Sequence, residues 1–335
     1  MCSWIWICKV SNDDAGGDEV ILDAPNFIRV YKSGRVERFL PVDFAPPSTD
    51  ADTGVSSKDV AILPEAGVSA RIYLPPRPSG GAHREKLPVL VFFHGGGFCL
   101  GSAFDAAVHG HANRLAAGTG AIVVSVEYRL APECPVPALY GDAWAALQWV
   151  AAHAGGQGSE PWLAAHADFG RVHLGGESAG ANIAHHAAMR AGAEDPGHGV
   201  RVNSLVLIHP YFLGGNNSSE TDEMGAALLR ELVRLWPVVC RGTSGCDDPW
   251  INPVAESAPS LSALGCRRVL MCVAGKDAMR GRGTVYCEEL KGSGWCGEVE
   301  AWEADGQGHG FHLSLPMSKE AVVQVTVIAE FLSQG

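Results

Sequence analysis

Positive charge is scarce in this 335-residue chain: 25 Lys and Arg stand against 37 Asp and Glu, a formal net charge of −12. Such a field repels phosphate backbones and anionic head groups. Nucleic acid and membrane surfaces are therefore poor partners, and a neutral small molecule suits the chain better. No apolar run approaches the roughly 18 residues of a membrane-spanning helix. The N-terminus, MCSWIWICKV, is apolar only briefly and lacks the basic n-region and long h-region of a signal peptide. The ten cysteines (2, 8, 99, 134, 240, 246, 266, 272, 287 and 296) form no C-x-x-C pair and no Cys/His cluster at zinc-ligand spacing. The expectation is reduced thiols in a cytoplasmic protein, with the sequons at Asn216 and Asn217 unused. Internal repeats are also lacking. With 47% apolar and 19% charged residues, disorder is excluded and one large α/β domain fits the length.

What is present is an alternation. Short strands are expected at Val36–Leu40 and Arg71–Leu74, and residues 77–86 read as a polar turn. Continuous apolar runs at PVLVFF (88–93) and AIVVSV (121–126) suit strands buried on both faces, and further strands are expected at Val172–Leu174, SLVLIH (204–209), RVLMCV (268–273) and Glu298–Trp302. Helical patterns fall between or after them, at Ala106–Ala117, Tyr140–Ala154, Ala179–Ala193, Met224–Leu235 and Lys319–Leu332. Strands alternating with helices predict a mostly parallel sheet covered on both faces, with chemistry beyond the carboxyl ends of its strands. Residues 1–60 and 212–261 fit the alternation poorly and are expected to cap the site within a single domain.

Gly176-Glu177-Ser178-Ala179-Gly180 matches G-x-S-x-G between a strand and a helix, the setting of a nucleophile elbow. The bare pattern is weak, since composition alone yields roughly a third of an occurrence in such a chain; a capping serine at a helix start is the plainer alternative. His94-Gly95-Gly96-Gly97-Phe98 carries more weight, since such a string arises by chance about once in forty chains like this one. Glycines free their N–H groups to turn toward a developing oxyanion. Gly96 and Gly97, with Ala179, are the expected donors, and Gly95 serves the turn. A phosphate-binding loop would need a Walker lysine or G-x-G-x-x-G spacing, and neither accompanies it.

A serine needs a base to take its proton, and histidine suits that near neutral pH. His309 lies in a glycine-rich loop after the last expected strand, with His312 as its nearest rival. Asp277, in the turn after RVLMCV, completes the order Ser, Asp, His; Glu303 and Asp305 are rival acids. A histidine of ordinary pKa would silence activity below about pH 6–6.5. Phe98, Tyr211, Phe212, Trp250, Ile251, Met279 and Phe311 neighbour the motif loops or the cap segment, and either line the pocket or belong to the core.

HGGGF, GESAG, GKD and GHGF, together with YRLAPE at 128–133, FIRVYKSGRVERF and DPWINP, resemble the hormone-sensitive-lipase-like esterases and, more narrowly, plant carboxylesterases. The resemblance spans nearly the whole chain. It implies an α/β-hydrolase fold with an N-terminal lid, a Ser178–His309–Asp277 triad, an HGGG oxyanion loop and hydrolysis of small-molecule esters or lactones without cofactor or metal. Gibberellin receptors of this group lack the catalytic histidine, whereas this chain keeps His309. The related 2-hydroxyisoflavanone dehydratases can carry Thr at the nucleophile position, where this chain has Ser178. Tuliposide-converting enzymes of similar sequence transfer the acyl group within the substrate. A ligand sensor, a dehydratase and an intramolecular acyltransferase are therefore the alternatives to an esterase.

Overall fold

The computed structural model describes residues 18–76, 85–214 and 223–334. The apolar N-terminus, Cys2, Cys8, both sequons and most of the turn at 77–86 lie outside the described residues. Three short strands, β1 (Val20–Asp23), β2 (Ile28–Tyr31) and β3 (Val36–Arg38), form a small antiparallel sheet of their own. The main sheet opens with β4 (Ser56–Leu63), β5 (Val68–Leu74) and β6 (Leu87–Phe93). Next come α1 (Ala106–Thr119), β7 (Ile122–Glu127), α2 (Val136–Ala154), α3 (Pro161–His166), β8 (Ala167–Glu177), α4 (Ala179–Ala193) and β9 (Val202–Ile208). The chain finishes with α5 (Glu223–Val239), β10 (Arg268–Ala274), α6 (Arg280–Gly292), β11 (Glu298–Ala304), α7 (Phe311–Ser314) and α8 (Lys319–Ser333).

The eight strands of the main sheet lie in the order β11-β10-β9-β8-β6-β7-β5-β4. Pairing is parallel from β7 across to β11, and antiparallel where β5 meets β7 and β4 meets β5. The continuous apolar runs have a physical reason here. Side chains alternate across a strand, and both faces of β6 are covered. Leu90 and Phe92 pack with Leu115 of α1 and with Ile328 and Phe331 of α8, while Val89, Val91 and Phe93 share the opposite core with Leu139 and Leu147 of α2 and Ile183 of α4. Each fully buried Val, Leu or Phe side chain contributes roughly 1.5–3 kcal/mol relative to exposure.

The structure corrects the expected boundaries. The main sheet begins at Ser56, inside the segment 1–60 assigned to the lid; β4 is a half-exposed edge strand whose first half, SSKD, is polar and masks the strand pattern. Helix α6 was not expected, since RGRGTVYCEELKG holds glycines that cost about 1 kcal/mol each in a helix and shows little periodicity. Burial of Tyr286 and Leu290 in the core offsets that cost.

The small sheet and α5 meet each other. Asn26 donates from Nδ2 to Glu231 at 2.8 Å, and Arg234 donates to the Asp23 carbonyl at 3.3 Å. Leu232, Leu235, Trp236 and Val239 recur at helical spacing and form the buried face of α5. Phe27 and Leu235 press on Gly97, where a Cβ would stand 3.0 and 3.1 Å from them. The N-terminal segment and the insertion thus come together over the glycine loop that follows β6. No helix among the described residues is long and apolar enough to cross a membrane.

Candidate active site

Ser178 sits between β8 and α4 with φ 50° and ψ −117°, a conformation that costs a non-glycine residue on the order of 1–3 kcal/mol. Its side chain caps no helix N–H, so the plainer capping role is not what this serine does. The turn is held by its own backbone: Ser178 N–H donates to Ile208 O at 2.8 Å, and Tyr211 N–H donates to Ser178 O at 2.9 Å. Tight approach explains the flanking glycines. A Cβ at Gly176 would overlap the Gly180 carbonyl, and one at Gly180 would overlap the Phe93 carbonyl. Gly180→Ala is therefore expected to lower stability by about 3 kcal/mol or more, because backbone atoms must move; denaturant unfolding of the purified variant measures this.

His309 is brought to the serine from the other end of the chain. Its Nε2 lies 3.0 Å from Ser178 Oγ, and its Nδ1 lies 2.7 Å from Asp277 Oδ2. Asp277 is buried, and its second oxygen accepts the Met279 N–H at 2.9 Å, so the carboxylate is aimed from both sides. A carboxylate at Nδ1 keeps the proton there and leaves Nε2 to accept from the hydroxyl. Burial pushes the His309 pKa down. The charge and hydrogen bond of Asp277, with the charge of Glu177, outweigh it and hold the pKa above the ordinary 6.5. The rival acids stand elsewhere: Glu303 is exposed and bonds Arg280 at 2.8 Å, and Asp305 is exposed. His312 is buried, with Nε2 2.9 Å from Glu177 Oε2.

The glycine loop turns at Gly96 and Gly97, one residue beyond the Gly95 to which the turn was assigned. Gly96 (φ 113°) and Gly97 (φ 61°) adopt conformations that favour glycine, and a Cβ at Gly96 would overlap the Leu100 carbonyl. Among the described residues, no acceptor pairs with the N–H of Gly96, Gly97 or Ala179. Gly95 differs, because its N–H donates to Glu177 Oε1 at 3.0 Å and is not free for a ligand.

The expected lining residues are mostly packed against protein. Phe98 lies between Tyr211 and Trp236, with centroids 5.5 and 5.9 Å away, and Tyr211 donates its hydroxyl to Leu232 O of α5. Phe212 contacts Tyr286 and His185, Ile251 O accepts the Leu213 N–H, and Phe311 packs on His209. Met279 is buried beside Asp277. Trp250 stacks on Tyr140 at 4.8 Å, and its carbonyl receives hydrogen bonds from Tyr140 and Asn182. These contacts anchor the DPWINP segment to α2 and α4.

Sequence reasoning passed over Glu177, Phe27 and Leu235. Only Glu177 carried a local signal, as an acid adjoining the nucleophile. His209 (φ 45°) accepts the Gly310 N–H at 3.2 Å, bracing the loop that carries His309. Burial, then the neighbouring His312 and His309, push its pKa well down, so the ring stays neutral and able to accept. One group of metal-ligand type forms among the described residues: His209, Asp277 and His309, with ligand atoms within 4.8 Å of one another. Two of these already share a 2.7 Å hydrogen bond that a cation would have to break. Burial pushes the Cys99 and Cys266 thiols up to about 12, which leaves them protonated and poor nucleophiles.

A family model for the alpha/beta hydrolase fold matches residues 90–313, a stretch that contains the serine, aspartate, histidine and glycine loop. The chain belongs to the α/β-hydrolase family. Probable carboxylesterase 1 of Arabidopsis thaliana is 43% identical over 318 residues, covering 94% of this hydrolase and 98% of the relative. A chloroplastic tuliposide A-converting enzyme of Tulipa gesneriana is 44% identical over 94% of this chain and 78% of its own. A 2-hydroxyisoflavanone dehydratase of Glycyrrhiza echinata is 42% identical over 94% and 96%. Among solved structures, an esterase of Pyrobaculum calidifontis superposes with TM-score 0.63 at 30% identity, covering 83% of this hydrolase and 84% of that chain. A thermostable carboxylesterase cloned from a metagenomic library superposes with TM-score 0.67 at 27% identity, covering 88% and 90%.

Proposed function

We propose that this α/β-hydrolase is a carboxylesterase that cleaves esters of small, largely neutral molecules through an acyl-enzyme on Ser178. The single observation that carries the reading is the unbroken line Ser178 Oγ, His309, Asp277, at 3.0 and 2.7 Å. His309 takes the hydroxyl proton as Ser178 attacks the carbonyl, and Asp277 stabilises the imidazolium that forms. The N–H groups of Gly96, Gly97 and Ala179 receive the oxyanion, while Gly95 gives its N–H to Glu177. His309 then hands its proton to the leaving alcohol. It next deprotonates a water that releases the acid. Carboxylesterase-type chemistry is also supported by the named plant relatives and the esterase neighbours. The negative net charge favours neutral substrates, and the free thiols of the described cysteines suit a cytoplasmic setting.

The relatives include a dehydratase and a tuliposide A-converting enzyme, so the test must separate their chemistry from hydrolysis. Turnover of a chromogenic short-chain ester in oxygen-18 water is expected to place one label in the released acid. Turnover that leaves no label in a free acid would mean that the acyl group passes to an acceptor other than water. A protein inert both to esters and to a phosphonate serine probe would mean a ligand sensor.

A further inference from the structure

The carboxylate beside the nucleophile has no place in the acyl-transfer scheme above, yet it is buried and touches two of the loops that scheme uses. Glu177 Oε1 accepts the Gly95 N–H of the oxyanion loop at 3.0 Å, and Oε2 lies 2.9 Å from His312 Nε2, three residues beyond His309. Both side chains are almost fully buried, at 7% and 1% exposure, so neither is a solvated surface group. A Cβ at Gly95 would stand 3.0 Å from the same oxygen, so the absence of a side chain there lets the loop close down on the carboxylate. The far end of that loop has its own brace, Glu127 Oε2, which accepts from Ser102 Oγ at 2.9 Å and Ala103 N–H at 2.6 Å.

We infer that Glu177 is a positioning residue: its buried carboxylate ties the oxyanion loop and the histidine loop to the nucleophile elbow, and its negative charge favours the imidazolium of His309. The inference rests on the proposed roles of Ser178, His309 and the glycine loop. A neutral amide would accept the Gly95 N–H equally well, so the brace alone gives no reason to bury a charge, which is costly unless it is paired. The charge has an electrostatic consequence. His309 is faced by Asp277 from the turn after β10, by Glu177 from the elbow and by neutral His209 from the end of β9. Glu177 in turn is faced by His312, the Gly95 N–H and His309, with the buried Tyr128 ring also near. Burial pushes the Glu177 pKa up, and His312, Gly95 and His309 together outweigh it, so the group is ionised at neutral pH. An ionised group there favours the positive imidazole that exists only after proton transfer from Ser178, an effect on kcat rather than on substrate binding.

The test is Glu177→Gln in the full chain, which keeps an acceptor for Gly95 and removes the charge. The expected result is a kcat about 10-fold lower, a KM within about 2-fold of the parent, and an acid limb of kcat/KM moved down by about half a pH unit or more. His312→Phe removes one of the partners that favour the ionised form of Glu177. It is expected to move the limb the same way by less, and it keeps the question open to test should the Gln variant not fold. An unmoved acid limb in whichever variant folds overturns the inference, even with a lower kcat, because a purely structural brace would act that way. Failure of the underlying reading looks different, since Ser178→Ala would then retain turnover. An inactive Ser178→Ala beside a Glu177→Gln of parental limb and kcat overturns this inference alone.

Discussion

Ser178→Ala is expected to lower kcat/KM for a chromogenic short-chain ester by about 10,000-fold or more, since removing a member of such a triad leaves only what binding and the oxyanion donors supply. The expectation rests on how the chain is bent at this residue. A serine held at φ 50° in a tight turn whose flanking positions admit no Cβ is strained, and its side chain satisfies no helix N–H. Alanine accepts the same backbone no more easily than serine, so the variant is expected to unfold within a few degrees of the parent. Loss of turnover then reports chemistry rather than folding. Labelling by a phosphonate probe should vanish in parallel. A variant that retains a tenth of the parental turnover would place the attacking group elsewhere.

Asp277→Asn carries the second large effect, with kcat at neutral pH expected to fall about 10,000-fold. The amide that replaces the carboxylate can present a donor to His309 Nδ1, which selects the wrong tautomer and leaves Nε2 unable to accept the serine proton. The pH profile gives an independent sign. In the parent, Asp277 and Glu177 hold the His309 pKa above 6.5 against the opposing effect of burial. The base must be neutral to work, so parental activity is expected to decline as pH falls through a value above 6.5, higher than the pH 6–6.5 that an ordinary histidine would give. In the Asn variant the opposing burial acts with less to offset it, and the acid limb of the residual activity should move down. Measuring kcat/KM from about pH 5 to 9 reads both effects. A plateau within tenfold of the parent, or a limb that stays in place, would remove Asp277 from the proposed role.

Four central strands of the main sheet were legible because burial on both faces favours apolar runs, and PVLVFF, AIVVSV, SLVLIH and RVLMCV hold such runs. The glycine loop and the elbow were legible because close backbone approach excludes side chains, which leaves a compositional trace. Elements stabilised by remote partners left none. Helix α6 carries glycines and little periodicity and is held by tertiary burial of Tyr286 and Leu290, while β4 opens on the polar SSKD and is half-exposed because it is an edge. The expected lining residues show the same limit. Phe98 and Phe212 have the right composition and neighbourhood for a pocket, but a ring that packs on Tyr211 and Trp236, or on Tyr286, cannot be told from a lining ring in one dimension.

Local pattern by itself determined that this chain builds an α/β sheet with a serine at a strand-to-helix turn, a glycine loop after an earlier strand, and an acid and a histidine after later ones. Those features follow from side-chain size and backbone freedom, which act over a few residues. Tertiary structure decided which histidine meets the serine, across 131 positions, and which of its rivals does not. It also placed Glu177 between Gly95 and His312, and closed Phe27 and Leu235 over Gly97. These are matters of distance and burial between segments remote in sequence, and the shift of His309 above its ordinary pKa depends on both.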